Sequence, residues 1–216
     1  MRNKVLKTTL HLHLHPGKGG KGQSFVELAI VFMLLLTMLA GVVEFGNMLN
    51  LYINVIDGAR EGARAASNAS PFLSGTDTTD PAFYTNTDTI IEGTFNPDGT
   101  QDQRSAIDPV RLDPSIDNVV ISVFAVDTSG ALKRFPQDKP NGWIVYPNTV
   151  VSSFTDAQLQ ALMASTANRA PSTGMVVVEI FYHYHTILQM PFLPPVIPLH
   201  TYAVMPLTAA EATPTP

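Results

Sequence analysis

Sixteen consecutive uncharged residues, Leu28 to Val43 (LAIVFMLLLTMLAGVV), stand between two lone acids, Glu27 and Glu44. From Gln23 to Tyr52 these two acids are the only charges in 30 residues. A membrane-spanning helix needs about 20 mostly apolar residues. The uncharged core is short for that task. With its flanks it is long enough, provided the acids sit near the interfaces. The expectation is a single span over roughly residues 25–46, with Glu44 marking the far interface.

Orientation follows from charge. Arg2, Lys4, Lys7, Lys18 and Lys21 precede the span, and no acid accompanies them. Basic residues favour the cytoplasmic side. The N-terminus is therefore expected in the cytoplasm, and the rest of the chain outside the cytoplasmic membrane. Beyond residue 22 there remain 8 basic and 18 acidic residues, a balance of −10. Phosphate contacts need a basic patch, so nucleic acid is not an expected partner. Charged residues make up 14% of the chain, well below the usual ~25%, as suits a chain partly in lipid. There is no cysteine, hence no disulfide framework and no thiol nucleophile.

Helical character continues beyond the span. NVIDGAREGARAASNAS is rich in alanine, and proline is absent until Pro71. Asp57, Arg60, Glu61 and Arg64 place opposite charges three residues apart, where helical side chains meet. The sequence predicts one helix over 23–66. At 1.5 Å per residue it reaches roughly 65 Å, about twice a bilayer core. Its second half must stand in water or cover something. Gly41, Gly46, Gly58 and Gly62 allow close approach of another helix, or are merely tolerated.

Residues 67–117 are rich in Asp, Thr, Pro, Gly and Asn. They read as mostly loop, with a short helix starting at Asp80–Pro81. NVVISVFAVD then reads as a strand, ALKRFP as its hairpin partner and WIVYP as a further short strand. TDAQLQALMASTANR, near 155–168, reads as a helix with Thr155 and Gln158 in capping-box spacing. MVVVEIFYHYHTIL is the strongest strand signal. LPPVIP reads as an irregular connection, LHTYAVMPL as a last strand and 208–216 as a disordered tail. The sheet domain thus covers 118–207. The fold class is α+β: a long N-terminal helix packed on a small antiparallel sheet.

The junction KGGKGQSFVELAIVF carries the functional signal. Glu27 is the fifth residue after Gly22, inside the apolar start of the helix. A carboxylate at a helix centre costs about 2.5–3.5 kcal/mol on insertion scales, less near an end. Such a residue needs a partner. A basic leader over 1–22 ending in glycine, with Glu five positions on, resembles the cleavage site of type IV prepilins. More narrowly, 22–67 resembles the TadE-like family, pseudopilins of tight-adherence (Flp) pilus systems. The matching pieces are Gln23–Ser24–Phe25–Val26–Glu27, Val43–Glu44–Phe45–Gly46 and Ala59–Arg60–Glu61–Gly62–Ala63–Arg64. The stretch VVVEIFYHYHTILQMPFLPP, with Ala203 and Met205 beyond it, resembles the end of that family.

The resemblance implies cleavage between Gly22 and Gln23 by a prepilin peptidase. It also implies assembly with other pilin or pseudopilin subunits through their N-terminal helices, with Glu27 as the assembly charge. Glu44, Arg60, Glu61 and Arg64 are the remaining helix charges in the matching segment. Membrane lipid is a partner, no cofactor is implied, and the role is that of a minor structural subunit in pilus assembly and surface adherence.

Other readings compete. A cleavable secretory signal has an apolar region of about 7–15 residues and a small-residue cut site; this run is longer and lacks that site. His183 and His185 share a strand face and could approach one ion, but without a third ligand they read as ordinary sheet residues. His11, His13 and His15 alternate likewise within the leader. Asp77, Asp80, Asp98, Asp102, Asp108, Asp113 and Asp117 lack EF-hand spacing and read as solvated loop acids. No nucleophile elbow, phosphate loop, zinc helix or dinucleotide motif is present, so no enzyme is expected. The main alternative is a permanently anchored envelope protein with an extracytoplasmic binding domain. An anchored hydrolase with a site within 67–170 is a third.

Overall fold

The computed structural model describes residues 20–73, 78–95, 110–126, 132–165 and 174–207. Most of the leader, the tail over 208–216, and Asp77, Asp98, Asp102 and Asp108 lie outside them. The chain divides into two compact units at the boundary between Val43 and Glu44.

Helix α1 runs from Gly20 to Ser67. In the first unit its side chains from Phe25 to Val43 are almost all exposed. In the second unit the same helix has an inner face: Val55, Ala59, Ala63 and Ala66 are buried. This i, i+4, i+8, i+11 spacing is one helical stripe, and the small alanines let the neighbouring layer come close.

Helix α2, Pro81–Phe95, occupies the middle of the segment expected to be mostly loop. Asp80 Oδ1 accepts the Ala82 N–H at 2.9 Å, and proline holds the first helical position. Thr85, Thr87, Thr89 and Thr94 donate their hydroxyls back to carbonyls one turn earlier. Threonine is a poor helix former, so composition hid the length of this element. What holds it is packing: Phe83, Tyr84, Thr87, Ile91 and Phe95 are buried.

Two glycines decide that packing. A Cβ on Gly58 would lie 2.4 Å from the Phe95 ring, and one on Gly62 would lie 2.4 Å from Ile91. Gly41 and Gly46 have open space instead. Gly58→Val should therefore destabilise the second unit by about 1–3 kcal/mol, the usual range for overpacking. Gly46→Ala should not. Thermal unfolding followed by fluorescence of the single tryptophan, Trp143, checks both, because that indole stacks on buried Tyr84 at 4.7 Å.

The sheet contains β1 (Asn118–Val126), β2 (Leu132–Phe135), β3 (Trp143–Ile144), β4 (Met175–His185) and β5 (Val196–Pro206). The order is β2-β1-β4-β5, with β3 beside β1, and every pairing is antiparallel. β4 pairs along its whole length with β5, from Met175↔Pro206 to His185↔Val196. One sheet face carries Val119, Ile121, Val123, Val176, Val178, Ile180, Tyr182 and Tyr184, and it shares a core with α1 and α2. On the other face Phe124, Met175 and Val177 form a smaller cluster with Leu159 of α3 (Asp156–Ser165). β4 is thus covered on both sides, hence its near-continuous apolar run.

Two details differ in extent from the sequence reading. β5 begins at Val196, inside LPPVIP, and takes Pro198 into the strand. An edge strand tolerates proline because one row of its backbone groups has no strand partner. Asp117, read as a solvated loop acid, is buried. Its carboxylate accepts the N–H groups of Asp113 and His183, each at 2.7 Å. The capping box of α3 is present: Gln158 accepts from the Thr155 N–H at 2.9 Å, and Thr155 Oγ1 accepts the Gln158 N–H.

Candidate functional site

The apolar surface of α1 is the first candidate. Phe25, Met33, Leu34, Met38, Leu39 and Val42 expose their side chains from one side of the helix to the other, a pattern suited to lipid or to other helices rather than to water. This is the one helix, among the described residues, long and apolar enough to cross a membrane. Glu27 lies exposed at its start, where Gln23 Nε2 donates to Glu27 Oε1 at 3.2 Å. An amide donor orients the carboxylate but leaves its charge uncompensated. Gly22 is within the helix, with nothing within 4 Å of where a Cβ would stand.

Of the other helix charges, Arg64 holds Glu61 through two bonds of 3.0 and 2.6 Å, and Arg60 faces Asp57 at 3.6 Å. These pairs are exposed and contribute little to stability. Glu44 stands apart from them. It is 3% exposed. Its carboxylate accepts the Tyr184 hydroxyl at 2.6 Å and the N–H groups of Ile187 and Leu188 at 2.9 and 2.8 Å. No cation enters this set. Three donors satisfy a buried carboxylate directly, and they fasten the residues after β4 to the helix. Charge pattern alone marked Glu44 as an interface residue; its three partners lie 140 or more positions away in the chain. Glu44→Ala should release the segment after β4. Hydrogen exchange at the Ile187 and Leu188 amides is expected to rise roughly tenfold or more, while β1 amides stay protected.

The opposite sheet face holds a constellation that sequence reasoning missed. Glu179, fully buried on β4, accepts the Ser153 N–H at 2.9 Å and the hydroxyls of Ser152 and Ser153. His200 Nε2 lies 3.3 Å from the same carboxylate and 3.5 Å from Ser153 Oγ. The residue types are those of a serine hydrolase, but the geometry is not. A triad needs the acid and the serine on opposite imidazole nitrogens; here both approach Nε2. The Ser153 hydroxyl also donates to the acid, which holds it as a ligand of the carboxylate rather than as a nucleophile. Burial alone would raise the Glu179 pKa. The bonds from His200, Ser152 and Ser153 outweigh it, and the carboxyl sits below its ordinary range. The signal was available in the sequence: a lone acid within MVVVEIF demands buried donors.

His183 is drawn to Asp117, Nδ1 lying 3.0 Å from Oδ1. Among the described residues no group of three or more His, Asp or Glu could hold a metal ion.

The model of the family described as TadE-like protein matches residues 22–64, which is the segment carrying the N-terminal resemblance. The resembling stretch at 176–195 lies outside the match. The match likens this segment, and no other part of the chain, to TadE-like proteins. No curated protein and no solved structure matches the chain.

Proposed function

We propose that this chain, TadE-like over residues 22–64, is a minor pilin or pseudopilin that serves pilus assembly and surface adherence. It enters the cytoplasmic membrane with its N-terminus inside. A prepilin peptidase cuts between Gly22 and Gln23. The mature subunit then leaves the lipid by packing its helix against those of other subunits.

One observation carries this reading: the part of α1 before Glu44, with apolar side chains exposed all round, bears a single carboxylate, Glu27, five positions beyond Gly22. A lone acid in such a surface is costly in lipid. It becomes favourable when a cation is supplied at the same depth. Cutting after Gly22 creates an α-amine on Gln23, one helical turn from Glu27, in the same subunit or the next. The sheet domain is then displayed outside, where it contacts other minor subunits or a surface.

Intact mass and N-terminal sequencing of native material test the proposal. The mature chain is expected to begin at Gln23. Material that keeps Met1 in cells with an active prepilin peptidase would instead support a permanently anchored envelope protein.

A further inference from the structure

The segment Thr186–Pro195 joins β4 to β5, and three features of it belong together. Apart from Gln189, its outward side chains are apolar: Ile187, Leu188 and Phe192 expose 61, 45 and 61% of their surface. From Thr186 to Leu199 there is no charged residue. The Glu44 carboxylate fastens it through the N–H groups of Ile187 and Leu188. Glu44 is the residue at which the uncharged run of α1 ends. A loop tied to Glu44 is therefore tied to the level where the helix passes from lipid to water.

Of the loop's seven N–H groups, four have an acceptor within the domain. In a medium poor in water, every free N–H is costly. Pro191, Pro194 and Pro195 have no N–H to satisfy. Those of Ile187 and Leu188 go to Glu44. That of Thr186 goes to the Pro195 carbonyl at 3.0 Å, and that of Leu193 to the Met190 carbonyl at 3.0 Å. Met190 is buried and roots the loop in the domain. Facing bulk water, such a loop would display three large apolar side chains without benefit. Set against the boundary between headgroups and acyl chains, the same side chains gain by burial.

We infer that the β4–β5 loop is a second, shallow membrane contact, which lays Ile187, Leu188 and Phe192 into the lipid interface. The inference rests on α1 being a membrane anchor. The contact would hold the sheet domain at a fixed orientation on the bilayer before assembly. Leaving the membrane would then mean withdrawing the loop as well as the helix.

The chain has no cysteine, so single cysteines can be placed at will. Ile187→Cys and Phe192→Cys report on the loop and Leu34→Cys on the span. Lys133→Cys is the aqueous control, at the sheet end where β1 Ala125 pairs with β2, opposite the loop. Each full-length variant is labelled with a nitrobenzoxadiazole fluorophore and placed at one copy per phospholipid nanodisc. Quenching is read with aqueous iodide and with lipids carrying doxyl groups high or low on the acyl chain.

The loop probes are expected to show iodide quenching roughly threefold or more weaker than at Lys133. They should be quenched best by the high doxyl position, and the Leu34 probe by the low one. Loop probes as open to iodide as Lys133, with Leu34 in lipid, overturn the inference and leave the anchor standing. A Leu34 probe in water removes the anchor and the inference together. Shielding of the loop only when many copies share a vesicle overturns it as well, since the occupant would then be a second copy of the chain.

Discussion

Glu27→Ala is expected to leave the chain in the membrane and to stop it from assembling. The two outcomes separate because the residue acts oppositely in the two settings. In lipid a carboxylate near the start of the span is a cost, up to about 2.5–3.5 kcal/mol if drawn to the centre. Alanine removes that cost and favours helix, so carbonate-resistant membrane association should be equal or improved. On the proposed assembly, an amine at the same height would match the carboxylate and fix the register of one helix against the next. Alanine forfeits that match. Sheared surface filaments containing this subunit should fall by at least about an order of magnitude, the loss set by one buried charge pair without its partner. Glu27→Asp should restore part of the assembly, because it keeps the charge and shortens its reach. Undiminished filaments from the alanine variant would sink the assigned role while leaving the anchor untouched.

Glu179→Gln should weaken the sheet domain by about 2–4 kcal/mol, because it replaces a buried ionised acceptor with a group that can accept at one atom only. The wild-type protein should show the same dependence through pH. The Glu179 carboxyl is held below its ordinary value of 4.5. The stability it confers is present above the pKa of the unfolded chain and is lost as pH falls through that value toward the folded one. The acid limb of the stability curve should therefore begin just below pH 5 and flatten in the glutamine variant.

Asp88 has the opposite sign. Burial, and secondarily the neighbouring Glu92, push its carboxyl up to about 7. Its Oδ1 is buried without a hydrogen-bond partner among the described residues. The folded state keeps this proton longer than the unfolded chain does, so stability declines as pH rises from about 4 to 7. Asp88→Asn should remove that decline. Melting curves read from Trp143 between pH 3 and 9, for the wild type and both variants in the same detergent, check the two limbs independently. A wild-type curve without an acid limb would refute the account of Glu179.

The two carboxylates show how much of the site was legible beforehand. The setting of Glu27 was visible because its neighbours are local: a glycine five residues earlier and an apolar run after it. The span could be read from the same run, and the helix continues to Ser67 because alanines and paired charges support it locally. The strands of the sheet were visible in their β-branched alternation, and the cap of α3 in the spacing of Thr155 and Gln158. Glu179 could only be suspected, since its donors come from residues 26 and 27 positions earlier and from β5. α2 was understated because its threonines predict poorly, and its partners Gly58 and Gly62 lie on another element.

By itself the sequence determined what is periodic or near in the chain: the apolar helix, the acids at its two ends, the strand segments, and the family resemblance of residues 22–64. Only the tertiary structure decided what each lone polar group bonds to. It showed that Glu44, read as an interface marker, is the acceptor for Tyr184, Ile187 and Leu188. It turned a serine, a histidine and a glutamate into a buried hydrogen-bond set rather than a relay. The physical reason is range. Burial and helix formation are written in local pattern, whereas a buried charge is satisfied by whichever donors the folded chain brings to it.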